Sequence, residues 1–407
     1  MNTFGKILRL STFGESHGRA IGGVLDGLPA GLKIDLAYIK AQMAMRKPGG
    51  KYATNRKEDD DLSILSGVFE DNGALISTGT PIGFIIKNTA QHSGDYDNIK
   101  DIFRPGHADY TYLAKYGVRD YKGGGRASAR ETAIRVGGGA FAGLLLDEFG
   151  IKVQAGVISI GKIGQAKHAL SALASGKTSQ DCDFSHAENS EIFALNPSLE
   201  NEQKELIQKL KNEGKSVGAS VIVRISGLFA GLGEPLYYKL DSQLSAAMMG
   251  INGVKAVELG IGAHSAKLNG FENNDFIQSL KSSKQNTANF NQANALNIGK
   301  NALGYGLDYA PSARLLSNNA GGVLGGLSNG ADIFMLIHFK PTPSIFEDEP
   351  CINTAGDDDI CALRGRHDPC IGVRGAVVAC AMARLVLADM LLLGASKSLA
   401  QLKKAWR

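Results

Sequence analysis

Apolar residues recur at helical spacing in several stretches of this 407-residue chain. Leu36, Ile39 and Met43 share one face of a helix over 35–46, with Pro48 just past its end. The clearest helix covers 128–149, where Ala129, Ala133, Val136, Ala140 and Leu144 follow one another at spacings of three or four. It opens with Ser128-Ala129-Arg130-Glu131, the S-x-x-E form of a capping box. Residues 200–213 read as a charged amphipathic helix. The strongly apolar run 374–393 reads as a helix that packs inside the fold or between subunits. Shorter apolar runs predict strands at 62–69, 82–87, 219–225 and 333–339.

Two ten-residue segments, Gly22 to Gly31 and Gly321 to Gly330, are identical at seven positions, and the second runs straight into the 333–339 strand. This hints at two related halves, each of strand and helix layers, although Gly-rich strings match by chance more readily than others. Residues 269–300 differ from the rest. They are Asn-rich and polar with scattered Phe271, Phe276 and Phe290, as in a long loop or lid.

Composition narrows the class. Glycine, at 51 of 407 residues, exceeds the usual share of about 7%, which suits tight turns and close approach of backbone to a ligand. A net charge of +4 spread along the chain is too mild for a nucleic-acid footprint but suits a small anionic substrate. Cys182, Cys351, Cys361, Cys370 and Cys380 form no C-x-x-C pair, and an odd count argues against a disulfide framework. No signal peptide is read at the N-terminus, and no apolar stretch reaches the roughly 18 residues that would span a bilayer. A cytoplasmic location is expected.

Four segments combine polar side chains with permissive glycines. Gly14-Glu15-Ser16-His17-Gly18 fits a nucleophile-elbow string formally, but it sits too close to the N-terminus to follow the sheet that motif needs. His17 between glycines is open to a ligand and can move a proton near neutral pH, or it is an incidental turn residue. Arg104-Pro105-Gly106-His107-Ala108-Asp109 reads as a functional turn or as a turn leading into a helix capped by Asp109. Gly123-Gly124-Gly125-Arg126 opens onto a helix start, an arrangement that favours an anion; it lacks both the P-loop lysine and the dinucleotide spacing. Glu131 and Arg135 fit an ordinary i,i+4 pair. In Gly365-Arg366-His367-Asp368-Pro369-Cys370, Asp368 fits a helix cap as well as a site residue, and no metal-ligand spacing is present.

Together these segments resemble the chorismate synthase family over essentially the whole chain. The matching strings, in order, are 14–29, 103–112, 119–132, 230–235, 318–327, 340–344 and 365–370. The resemblance implies an α+β fold, a β-α-β sandwich with two pseudo-symmetric halves in a single 1–407 domain, assembled as a homotetramer. It implies anti-1,4 elimination of phosphate from 5-enolpyruvylshikimate-3-phosphate, dependent on reduced FMN. His17 would assist the departing phosphate, and His107 would stabilise the reduced flavin. Asp368, with Ser16 and Ser128 as relays, would help flavin N5 act as base. FMN contacts would fall at Arg126, Ala127, Ser128, Asn252, Gly253, Gly325, Lys340, Pro341, Thr342, Pro343, Ser344 and Arg366. Arg46, Lys51, Arg130 and Arg135 would meet substrate or NADP, since arginine binds phosphate and carboxylate bidentately.

The chain departs from the family pattern at Met45, at Lys51 and at Cys380, and in the length of 269–300. No nicotinamide fingerprint is present, so an outside supply of reduced flavin is expected, with NADPH the alternative reductant. Two other classes remain: a phosphotransferase using the 123–125 loop, which would need ATP and Mg²⁺, and a non-enzymatic anion- or RNA-binding protein. Neither membrane nor nucleic acid is expected as a partner.

Overall fold

The computed structural model describes residues 1–47, 51–54, 60–89, 99–175, 182–279, 296–297, 313–363 and 368–406. Two antiparallel sheets enclose a pair of long helices. The first sheet runs Thr3–Phe4, Arg9–Phe13, Ala20–Asp26, Ile82–Lys87, Leu62–Ile64 in spatial order. The second runs Val254–Leu259, Ile333–Phe339, Ala219–Ser226, Lys152–Ile160. Helix Thr132–Asp147 packs on the first sheet and helix Ile371–Gly394 on the second, and the two helices pack against each other. The predicted sandwich is therefore present, with helices as its filling. Along Ala20–Asp26 one face of the first sheet meets the helices, and on the other face Gly22 is covered by the Phe13 ring. Ile21 and Leu25 point inward, whereas Val24 is exposed. Ala219–Ser226 is buried almost throughout, because helices Ala166–Ala174 and Phe184–Asn189 cover the other face of its sheet.

The two central helices approach unusually closely. A Cβ on Gly139 would lie 2.5 Å from that of Ala381, so only glycine fits at that crossing. Gly137, Gly138 and Gly139 each cost the helix about 1 kcal/mol relative to alanine, a cost offset by close packing on Leu62, Leu10 and Ala381. Helix Ile371–Gly394 corrects one expectation. It is long and apolar enough to cross a membrane, with a mean hydropathy of 2.2, yet 78% of its most apolar window is buried inside the fold. It is the core helix of the sandwich.

Local details follow sequence chemistry. Helix Leu36–Arg46 starts where the Asp35 carboxylate accepts from the amides of Ala37 and Tyr38, at 2.8 and 3.0 Å. The expected strand at 62–69 is two strands, Leu62–Ile64 and Val68–Asp71, because Gly67 at φ +81° turns the chain between them. The expected helix at 128–149 begins at Thr132, after a 3₁₀ turn Ala129–Glu131 capped by Ser128. Glu131 bonds Arg135 four residues on instead of closing a capping box.

The ten-residue likeness does not reflect equivalent structures. Gly22 and Gly23 lie within the strand Ala20–Asp26, whereas Gly321 and Gly322 have φ of +70° and +82° and precede the small hairpin Val323–Leu324/Leu327–Asn329. Shared glycines there serve unlike backbones. Within 269–300, a short helix Gly270–Asn273 carries a capping box between Asn269 and Glu272, and Ile277–Ser279 is a strand. Leu296–Asn297 is also a strand, and residues 280–295 and 298–300 lie outside the described residues.

Candidate active site

The glycine run builds the site. Gly123, Gly124 and Gly125 all adopt positive φ, at 62°, 81° and 51°. A Cβ on Gly123 would lie 2.4 Å from Cδ2 and 2.5 Å from Nε2 of His17. One on Gly124 would lie 3.1 Å from both Cε1 and Nε2 of His107. Side-chain-free backbone therefore passes between two imidazoles that are ninety positions apart in the chain, so that both meet one loop. Ser16, itself buried, joins them: its Oγ donates to the Gly123 carbonyl at 3.2 Å and its amide to that of Gly125 at 3.3 Å.

Asp109 is not the cap of the helix Asp109–Tyr116. It occupies the first turn, and its buried carboxylate turns back on the preceding loop. Arg104 donates to it through Nε at 2.7 Å and Nη2 at 2.9 Å, and the guanidinium of Arg119 lies 3.5 Å away. Oδ1 is 3.0 Å from Nδ1 of His107. Burial by itself would raise the Asp109 carboxyl. Hydrogen bonds from Arg104 and His107, with their charges, outweigh it and hold the group well below the usual carboxylate range.

A cleft of about 590 Å³ opens beside this loop. Arg126, Ala127, Asn252 and Gly253 line it, as do Arg135 and the N-terminal residues Met1 to Phe4. Arg126 Nη2 donates to the Thr12 carbonyl at 2.9 Å, but its Nη1 is buried with no hydrogen-bond partner. Asn252 is similar: Nδ2 donates to the Ala127 carbonyl at 3.1 Å while Oδ1 is buried and unpaired. Buried polar atoms left unpaired beside a cleft fit a polar ligand that offers an acceptor to Arg126 and a donor to Asn252.

The 340–344 segment ties the loop to the second sheet. Lys340 donates through its amide to Gly253 at 2.9 Å and through Nζ to Gly106 at 2.7 Å, next to His107. Burial and the nearby Lys255 lower the Lys340 amine. Thr342 donates to the Asp368 carbonyl at 2.8 Å. Asp368 is buried and pairs through Oδ2 with Arg374, while its Oδ1 has no partner.

A second cluster of charge lies under the loop. Asp60 bridges Arg46, at 2.6 Å, and Arg130, with all three side chains buried. Arg46 also donates to Thr132 Oγ1 at 3.2 Å and to the Ala129 carbonyl at 3.1 Å. Burial lowers the Arg46 guanidinium, and the Arg374 and Arg130 charges add to that against the pull of Asp60. Burial opposes ionisation of Asp60, yet Arg46 and Arg130 together hold its carboxyl below the usual range.

Most expected site residues thus converge around Gly123 to Ser128. Three do not. Lys51 lies at the surface, its Nζ 5.4 Å from the Tyr52 ring centroid. Gly325 sits in the hairpin that packs on the far, N-terminal end of helix Leu240–Met249, at whose other end Asn252 and Gly253 reach the cleft. Arg366 lies outside the described residues. Cys380 is half-buried, its Sγ 3.8 Å from the Val153 carbonyl, and desolvation pushes its thiol up to about 11. Met45, on the exposed side of the helix Leu36–Arg46, does not line the cleft.

Sequence reasoning missed Asp60, Arg374 and the part played by Asp109 and Arg104. Only Asp109 had a local signal: Arg104, His107 and Asp109 fall within one turn. Among the described residues no group of three or more His, Cys, Asp or Glu side chains is arranged to hold a metal ion.

Comparison with known proteins identifies the lineage. The chorismate synthase family model matches residues 8–392. The chain belongs to the chorismate synthase family. A chorismate synthase from Campylobacter fetus is 55% identical over 406 residues, covering all of both chains. One from Helicobacter hepaticus is 49% identical over 408 residues, again covering both in full. A crystal structure of a chorismate synthase superposes with a TM-score of 0.69 at 27% identity, covering 99% of this chain and 97% of that one. As a chorismate synthase the chain is a lyase that eliminates phosphate from 5-enolpyruvylshikimate-3-phosphate to give chorismate, in a reaction that depends on reduced flavin.

Proposed function

We propose that this elimination takes place on the Gly123 to Ser128 loop of a single-domain chain, with FMN in the adjoining cleft. The observation that carries the reading is the pair of unsatisfied buried atoms there, Arg126 Nη1 and Asn252 Oδ1. An isoalloxazine edge, which carries both N–H donors and carbonyl acceptors, can pair with both atoms, whereas a phosphate can pair only with Arg126 Nη1. Ala127, Ser128, Gly253 and the 340–344 segment would complete the cofactor's surroundings. Reduced flavin, when bound, supplies the electron density that loosens the allylic carbon–oxygen bond and accepts the C6 hydrogen.

The chain's own groups do the rest. His17, held against Gly123 next to Ser16, donates a proton to the departing phosphate oxygen. His107, on the adjacent glycine, places a ring that can carry positive charge beside the anionic cofactor. Asp368, buried against Arg374 and linked through its backbone to Thr342, offers the unpaired Oδ1 as a proton acceptor, with Ser16 and Ser128 as relays. Arg130 and Arg46, with the cleft-lining Arg135, give the site a surplus of positive charge for a substrate carrying phosphate and carboxylates. Reduced FMN arrives from outside, the enzyme works in the cytoplasm, and it assembles as a homotetramer.

The test is anaerobic turnover of 5-enolpyruvylshikimate-3-phosphate, with chorismate absorbance and released phosphate followed together. Equal amounts of both products, with chemically reduced FMN only, are expected. Turnover with oxidised FMN and NADPH would show that the chain reduces its own flavin and overturn external supply. Light scattering should give the mass of four chains, and a monomer mass would contradict the assembly.

A further inference from the structure

Two opposed contacts meet at Nδ1 of His107. Arg104 Nη2 lies 3.1 Å from it and Asp109 Oδ1 lies 3.0 Å from it. Arg104 can only donate, so its contact requires a lone pair on Nδ1; an ionised Asp109 can only accept, so its contact requires a proton there. Both cannot hold. Arg104 Nη2 donates to Asp109 Oδ1 at 2.9 Å with one of its two hydrogens, so it stays anchored to the carboxylate when the other finds no lone pair on the imidazole. Asp109 is buried and held by Arg104 through two nitrogens, with Arg119 behind it, which keeps it a carboxylate. A charge-assisted bond from Nδ1–H to that carboxylate is the stronger arrangement.

We infer that Asp109 is a positioning residue that fixes His107 as the Nδ1–H tautomer, leaving the Nε2 lone pair on the edge turned to Gly124. The inference rests on the reading of His107 as an active-site residue. It adds a selector for which ring nitrogen is available to the chemistry. The charged groups facing the ring are Arg104 and Asp109, with Arg119 behind Asp109. Lys340 is held on the neighbouring Gly106 carbonyl. None of them but Asp109 can accept a proton from Nδ1.

The experiment is ¹⁵N-histidine NMR of the full-length protein, at a pH where the ring is neutral. The His107 signals are identified as those absent from His107→Asn. A protonated Nδ1 and a bare Nε2 are expected in the wild type, and this reading needs no Asp109 variant to fold. In Asp109→Asn the amide can donate to Nδ1, so the proton should move to Nε2 and kcat should fall by up to about 10,000-fold with KM little changed, by analogy with the orienting aspartate of a Ser-His-Asp triad. Asp109→Glu should restore part of the rate. In a His107→Ala background Asp109→Asn should change kcat by less than about 3-fold, since its effect passes through the ring.

An Nε2–H signal in the wild type, or an undiminished Asp109→Asn effect without His107, overturns the inference. Wild-type turnover by His107→Ala instead overturns the reading of His107, and the wild-type spectrum still decides what Asp109 does.

Discussion

Gly123→Ala is the sharpest perturbation of the site. Two effects are separable. At φ 62° the new side chain sits in the left-handed region, at a cost of about 1–2 kcal/mol. Its Cβ would also lie 2.4 Å from Cδ2 of His17, where an ordinary contact needs more than 3.4 Å, so the imidazole must move by about 1 Å. A misplacement of that size costs catalysis about 100-fold. Gly117→Ala is the matched control: φ is 71°, the residue is exposed, and nothing lies within 4 Å of its Cβ. Both variants should lose similar stability, a few degrees of Tm by differential scanning calorimetry. Only Gly123→Ala should lose kcat, measured anaerobically with saturating reduced FMN. Wild-type turnover by Gly123→Ala would refute the claim that the glycine run holds His17 for chemistry.

Other outcomes follow from the same geometry. Asp60→Ala leaves Arg46 and Arg130 charged and buried without their shared partner, and should lower unfolding stability by about 3–5 kcal/mol in urea titrations. Because the Asp60 and Asp109 carboxyls are lowered in the folded state, their stabilisation is present above the unfolded value of about 3.9 and is lost as pH falls through their folded values. The urea midpoint should therefore drop below about pH 4, and less steeply in Asp60→Asn. Burial pushes the Cys370 thiol up to about 12 and that of Cys361 up to about 11, so iodoacetamide at pH 8 should label both only after unfolding, as read by mass spectrometry. Arg126→Ala should weaken FMN binding by about 10-fold or more in a fluorescence titration while leaving the circular dichroism spectrum unchanged.

The sequence made some of this legible for identifiable reasons. Helices Leu36–Arg46 and Glu200–Asn212 carry one-sided patterns and were readable nearly to the residue. Helix Ile371–Gly394 was readable because its apolar run is uninterrupted, which also conceals whether a core or a membrane surrounds it. The strand expected at 62–69 hid a turn at Gly67, since a glycine within an apolar run does not reveal its φ. At the site, His17, His107 and the glycine run stood out through local composition, but their meeting is a product of the fold. Asp60 pairs with residues 14 and 70 positions away, and such distances leave no trace in periodicity. The Gly22 and Gly321 segments show the converse, a likeness in sequence that maps onto a strand in one place and a turn in the other.

The most direct test of the central claim is a crystal structure of the protein with FMN and 5-enolpyruvylshikimate-3-phosphate bound. The account predicts flavin in the cleft, bonded to Arg126 Nη1 and Asn252 Oδ1, with the substrate's phosphate within reach of His17 and the flavin ring beside His107. Flavin bound elsewhere, with those two atoms still unpaired, would contradict it.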